Sequence, residues 1–361
     1  MSRFLLVNIG AGTMDILYYD DALGVHYKAV AKSPVMSIAE EAAALPPGDL
    51  LVLGCEMGGG SISQALKDRA KEADVVMSAS AALTVNHDLE RVRSYGIRVV
   101  PDADADILLG RAARDRRSVL RVGDVEPDRL EEIVLGLGVP YEFDAVAFCA
   151  QDHGAPPPGV SHLDYRHAMY KERLDRSPFP HMLLYRKDEI PPMFNRLCSI
   201  ATSAEDVPTD EIYVMDSGMA AILGASLDLH AIGKRSLVLD VATSHTVGAA
   251  IEDGEIAGFF EYHTHDVTME RVESLLHDLA DGALEHEQIL KEGGHGAYIR
   301  KSFGFDAAEA IVATGPKRKI MQKSQLPIIF GGPLGDNMMT GTVGLLEAVR
   351  RRKGLAPMLY L

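Results

Sequence analysis

Residues 4 to 22 and 236 to 254 carry one pattern twice without a gap: an apolar strand, a loop of small residues, a second apolar strand and an acidic turn. FLLVNIGAGTMDILYYDDA is answered by SLVLDVATSHTVGAAIEDG. Each copy ends its first strand on a polar residue, Asn8 or Asp240, and runs on into Gly, Ala, Ser and Thr residues that leave backbone N–H groups uncovered. Loops of this kind bind phosphate. One such loop is often only a tight hairpin. Two in one chain point to two related domains that close on a polyphosphate from opposite sides, with ATP the expected ligand.

At 361 residues and 47% hydrophobic content the chain can bury two domain-sized cores. A formal net charge of −16 opposes a nucleic-acid partner, because such binding draws its affinity from clustered Lys and Arg. RDRR at 114 to 117 and KRK at 317 to 319 are too short to reverse that balance. The start, MSRFLL, lacks the apolar segment of a signal peptide, and no run approaches the roughly 20 apolar residues that span a bilayer. The expectation is a cytoplasmic protein without membrane or nucleic-acid partners. Cys55, Cys149 and Cys198 are too scattered for a disulfide framework, a zinc ribbon or an iron–sulfur motif.

Strands are expected at about 3 to 8, 14 to 20 and 25 to 31, joined tightly as in a meander. DLLVLG, DVVMSA, IRVV and DAVAFCA then alternate with helical stretches such as Ser63 to Ala73 and Asp128 to Leu137, an α/β alternation. Segment 151 to 191, rich in Pro, His, Arg and Tyr, reads as an irregular insertion near a cleft. MDSGMAAILGASLD, residues 215 to 228, reads as a small-residue helix able to pack very closely ahead of the second hairpin. Further helices are expected near 268 to 280 and 284 to 291. IVATGP at 311 to 316 follows, then a buried strand, a Gly-Gly turn and a final helix within 326 to 349.

These features together resemble the superfamily of actin, heat-shock chaperone ATPases and sugar kinases. The resemblance implies an α/β protein of two ribonuclease H-like domains, with mixed sheets flanked by helices and ATP in the interdomain cleft. The expected division is 1 to 231, with insertions, and 232 to 361. More narrowly, the chain is similar to a prokaryotic family labelled pyruvate formate-lyase activating protein. Radical activation of that kind needs three closely spaced cysteines, which this sequence does not have.

Gly10, Ala11, Gly12 and Thr13 would form the first phosphate loop, and Asp240, Thr243, Ser244, His245 and Thr246 the second. Gly331 and Gly332 would pack against adenosine, with Gly315 preceding them at the end of IVATG. The superfamily usually has Asp where Asn8 stands, holding the water shell of Mg²⁺. Here the metal falls to Asp15 and Asp240. Strand-end capping is the plain alternative for Asn8 and Asp240, a solvent-facing strand position for Asp15, and a simple turn for the two glycines.

Beyond the loops, Asp152 and His153 follow an apolar strand and are candidate catalytic groups beside Asp15, although Asp also commonly caps loops. EYHTHD brings His263 and His265, which on a strand would share a face and offer two metal ligands. GCEMGGGSIS, residues 54 to 63, is a third glycine loop suited to an anionic substrate, and GGHGAY could bring His295 to the cleft. The expected function is Mg-dependent phosphoryl transfer from ATP, foremost by a small-molecule kinase. An ATPase that switches a partner enzyme and a non-catalytic nucleotide or metabolite binder are the alternatives. A homodimer is compatible with the chain.

Overall fold

The computed structural model describes residues 2–157 and 159–360. Strand β1 (Arg3–Ile9), β2 (Thr13–Asp20) and β3 (Val25–Lys32) form the expected antiparallel meander. The chain then leaves this sheet. β4 (Leu50–Gly54), β5 (Val75–Ser78), β6 (Ile97–Val100) and β7 (Ser118–Val122) build a separate parallel sheet in the order β6-β5-β4-β7, with helices between its strands. Returning, β8 (Ala145–Ala150) pairs parallel to β1, and β10 (Ile212–Asp216) pairs parallel to β8. The short β9 (Leu184–Arg186) closes that edge antiparallel to β10. Every residue of β8 is buried, as a central parallel strand requires.

The second half repeats the plan. β11 (Ser236–Val241), β12 (His245–Glu252) and β13 (Glu255–His263) form a meander that β14 (Gly296–Ile299) extends. β15 (Ala310–Thr314) and β16 (Ile328–Phe330) add in parallel on the other side of β11. Both large sheets thus share one order, meander strands three, two and one followed by two parallel strands, which is the ribonuclease H-like arrangement.

The helices Ser217–Ser226 and Thr340–Arg352 lie between the two large sheets. Their contact explains the run of small residues. A Cβ added at Gly224 would sit 1.9 Å from the Thr340 carbonyl oxygen, and one at Gly344 would sit 1.9 Å from that of Ala220. The two backbones touch, so no side chain fits between them. Gly224→Ala must push the helices apart and is expected to cost about 3 kcal/mol, measured as a lowered urea midpoint; an unchanged midpoint would contradict this packing.

Two expectations need correction. Segment 151 to 191 is not irregular: it holds the 15-residue helix His162–Arg176, whose first turn is capped by the Ser161 hydroxyl accepting from the Asp164 N–H. Its buried face is Arg166, Tyr170 and Leu174, and an Arg in that stripe hides the helical period. The strand within 326 to 349 is not buried: β16 is an edge strand, with Phe330 43% exposed. The GGHGAY segment leads directly into strand β14. Among the described residues no helix is long and apolar enough to cross a membrane.

Candidate functional site

A cleft of about 560 Å³, within the roughly 300–1,000 Å³ usual for small-molecule sites, opens between the two hairpin loops. Asn8, Gly10, Ala11, Thr13 and Asp15 line it from the first hairpin, and Asp240, Thr243, Ser244 and His245 from the second. The N-terminal residues of the two central helices, Ser217 and Gly218 on one and Thr340 and Gly341 on the other, complete this end. Two helix N-termini and two small-residue loops give the site a positive dipolar lining suited to phosphate.

Asn8 and Asp15 are paired across β1 and β2, and the Asn8 Nδ2 donates to Asp15 Oδ2 at 3.1 Å. Asn8 Oδ1 accepts from the Cys149 thiol at 3.2 Å, which fixes the amide's orientation. Asp15 Oδ1 is buried with no hydrogen-bond partner among the described residues. Burial pushes the Asp15 carboxyl up to about 7 against the nearby Thr13 side chain and the Asn8 hydrogen bond, and the Asp240 charge adds to the rise. Asp240 itself accepts from the Thr314 hydroxyl at 3.0 Å, yet burial lifts it to about 6. An orphaned carboxylate oxygen and a second buried carboxylate close enough to repel it fit a divalent cation.

The second strand positions show how the acid moved. Asp240 pairs with Val247 in the second hairpin, whereas Asn8 pairs with Asp15 in the first. The first hairpin therefore carries its carboxylate one strand over, beside the amide that replaces it.

The opposite end of the cleft is built by the glycine loop after β4. Glu56, Met57, Gly58, Gly59 and Gly60 line it, and Gly60, at φ 58°, turns the chain into the helix Ser61–Arg69. Glu56 is buried and receives His87 Nε2 at 2.7 Å, while its other oxygen has no partner among the described residues. Arg196 supports this end: its guanidinium donates to Asp124 through Nε at 2.7 Å and to the Gln151 carbonyl through Nη1 at 2.8 Å.

Asp152 lines the cleft, but both of its oxygens are engaged by backbone: Oδ1 accepts from the Gly154 N–H at 2.7 Å and Oδ2 from the Leu197 N–H at 3.0 Å. Burial raises its carboxyl to about 6 against those bonds. His153 also lines the cleft, and burial holds its imidazole well below the usual range.

Not every expected residue comes here. Gly12, Thr246, Gly315, Gly331 and Gly332 are not among the cleft-lining residues. Gly315, at φ 87°, is needed where a Cβ would lie 2.5 Å from the Val241 carbonyl oxygen, and Gly331 where one would lie 2.4 Å from Asp228 Oδ2. Gly332 donates its N–H to the same Asp228 oxygen at 2.9 Å. Thr246 shares a hydrogen bond with the Thr264 hydroxyl at 3.0 Å. His87, Arg196 and Glu261 were not legible as site residues, because each reaches the cleft through tertiary packing rather than a local motif; Glu56 lies within the 54 to 63 glycine loop but was not singled out there.

Two sheets of one order, with the hairpin loops of both lining one cleft, define a duplicated ribonuclease H-like α/β fold. Within that class, the chain belongs to the family described as "Putative pyruvate format-lyase activating enzyme", whose profile matches residues 57–320. A search of curated proteins finds no match. Among solved structures the chain is similar to a Bacteroides thetaiotaomicron protein with actin-like ATPase fold and unknown function, at 8% identity and TM-score 0.37 over 96% of each chain. It is also similar to the activator of 2-hydroxyisocaproyl-CoA dehydratase from Clostridium difficile, with bound ADPNP, at 9% identity and TM-score 0.35 over 99% of each chain. A third similar structure is the ROK hexokinase from Thermus thermophilus, at 12% identity and TM-score 0.27 over 98% of this chain and 90% of that one.

Proposed function

We propose that this protein binds Mg-ATP between its two hairpin loops and transfers the terminal phosphoryl group to a small-molecule acceptor. The observation that carries the proposal is the convergence of Asp15 and Asp240, one from each hairpin, on a single cleft, with Asp15 Oδ1 buried and unpartnered. Asp15 and Asp240 would hold the hydrated Mg²⁺, which when bound offsets the phosphate charge. Gly10, Ala11, Thr13, Thr243 and Ser244 would cradle phosphate oxygens, and the helix N-termini at Ser217 and Thr340 favour negative charge there. The acceptor would sit toward Met57 to Gly60.

Of the two carboxylates at that end, Asp152 is committed to bracing the backbone, whereas Glu56 keeps one oxygen free. Glu56 is therefore the proposed general base for an acceptor hydroxyl, oriented by His87. Glu56→Gln is expected to leave Mg-ATP affinity within about twofold and to lower acceptor-dependent turnover by about 10²–10⁴-fold. An acceptor screen read by ADP release provides the assay; full turnover in the Gln variant would remove Glu56 from this role.

A second reading is an ATPase that acts on a partner enzyme. Supporting it, the two helices in backbone contact begin at the cleft, so closure on nucleotide would displace elements of both sheets. Activation by an iron–sulfur cluster is not supported by the donor set, since Cys149 is fully buried on β8 and Cys55 contacts Ser203 elsewhere. ATP hydrolysis stimulated by a protein and by no metabolite would favour this reading.

A further inference from the structure

Beside the second phosphate loop, four histidines from four separate segments meet. His153 follows β8 of the first large sheet, His245 opens β12, His263 closes β13, and His295 immediately precedes β14. His245 and His263 are register partners on adjacent strands, and the His295 N–H donates to the Glu261 carbonyl at 2.8 Å. Ring centroids of His295 lie 4.8 Å from His245, 4.4 Å from His263 and 5.1 Å from His153.

The hydrogen bonds of these rings divide in a consistent way. His245 Nδ1 is held by the Ser244 hydroxyl at 2.8 Å, and His295 Nε2 by His263 Nε2 at 3.1 Å. The remaining nitrogens, His245 Nε2 and His295 Nδ1, are buried without a hydrogen-bond partner among the described residues, as is His153 Nδ1. His295 is itself only 8% exposed. His295 Nδ1 approaches Glu261 Oε1 at 3.4 Å, but that carboxylate is already taken by Arg166 and Gln151. The three rings each offer a ligand atom, all within 4.8 Å of one another. Three ring nitrogens without hydrogen-bond partners among the described residues converge in one small space, an arrangement that favours an electrophile among them.

We propose that His153, His245 and His295 bind a divalent transition metal of the zinc class. Imidazole-only donor sets select Zn²⁺ and its neighbours over Mg²⁺ or Ca²⁺. Ligand nitrogens at 2.0–2.1 Å from zinc in a tetrahedral site lie roughly 3.4 Å apart, so the rings draw inward on binding. Ser244 and His263 serve as outer partners that fix the orientation of their rings, the usual arrangement around metal-bound histidine. Three protein ligands leave one position open, and two of them, His153 and His245, line the cleft, so that position faces its contents.

The site joins the two large sheets, because His153 belongs to the first and His245 and His295 to the second. It does not depend on the nucleotide reading. The HxH pair is not its basis: β13 ends at His263, the chain turns, and His265 is exposed.

The test uses untagged full-length protein, stripped with chelator and titrated with Zn²⁺ calorimetrically and with Co²⁺ by visible absorption. The expected result is one ion per chain and a tetrahedral Co²⁺ spectrum. His245→Ala and His295→Ala should weaken Zn²⁺ by more than the roughly 10–100-fold typical of losing an outer partner, and His153→Ala should do the same, while His265→Ala keeps wild-type affinity. Unfolding of the stripped variants, compared with stripped wild type, separates lost ligation from lost structure. The absence of Zn²⁺ and Co²⁺ binding to wild-type protein would overturn the proposal, as would binding that folded His245→Ala, His295→Ala and His153→Ala variants retain.

Discussion

Arg166→Ala is expected to destabilise the protein by about 3–5 kcal/mol, the range for stripping one partner from a buried ion network. Arg166 lies on the helix His162–Arg176 and is almost fully buried. Its Nη2 donates to Asp216 Oδ2 at 2.8 Å and its Nη1 to Glu261 Oε2 at 2.7 Å. Asp216 ends β10 in the first large sheet, and Glu261 lies on β13 in the second. Burial opposes charge on Glu261, yet the Arg166 guanidinium holds its carboxyl well below the usual range. Removing the guanidinium leaves two carboxylates buried together. Asp216 also caps the helix Ser217–Ser226 by accepting from the Gly218 and Met219 N–H groups, so disturbance there reaches the phosphate end of the cleft. Urea unfolding measures the effect. A loss below about 1 kcal/mol, the range of exposed pairs, would mean that solvent reaches the network.

Asp240→Ala is expected to lower Mg-ATP turnover by about 10²–10³-fold, the scale for deleting one preorganised electrostatic group at a reacting centre. Its carboxylate stands at the end of β11, with the Thr314 hydroxyl on Oδ1. In the same cleft, Asp15 has a buried oxygen without a hydrogen-bond partner among the described residues. Deleting Asp240 removes both a cation partner and the smaller repulsion that adds to the rise burial imposes on Asp15. The variant should therefore fold at least as well as wild type while requiring far more Mg²⁺. A Mg²⁺ titration of turnover, with urea unfolding alongside, distinguishes that outcome from simple loss of structure. Wild-type Mg²⁺ dependence in the folded variant would exclude Asp240 from the site.

The duplicated hairpins were legible because their signal is local: alternating apolar strands, small-residue loops and an acidic turn lie within 19 residues in each copy. Small-residue packing was equally readable, since Gly218, Ala220, Ala221, Gly224 and Ala225 leave little that could keep a partner helix away. The helix His162–Arg176 was missed because its buried stripe begins with an Arg whose apolar stem and paired head replace a hydrophobe. Strand β7, SVLRV, escaped notice because five residues with an Arg inside give little alternation to read. His153, His245, His263 and His295 could each be singled out in sequence, but their meeting could not. It requires β13 to pair with both β12 and β14, and the segment after β8 to cross from the other sheet.

Calorimetric titration of the wild-type protein with a non-hydrolysable ATP analogue, with and without Mg²⁺, tests the two-loop cleft most directly. One site per chain is expected, tightened by Mg²⁺ in the wild-type protein and needing far more Mg²⁺ for the same tightening in Asp240→Ala. No binding at millimolar nucleotide in the presence of Mg²⁺, or binding that folded Asp240→Ala leaves unchanged, would contradict it.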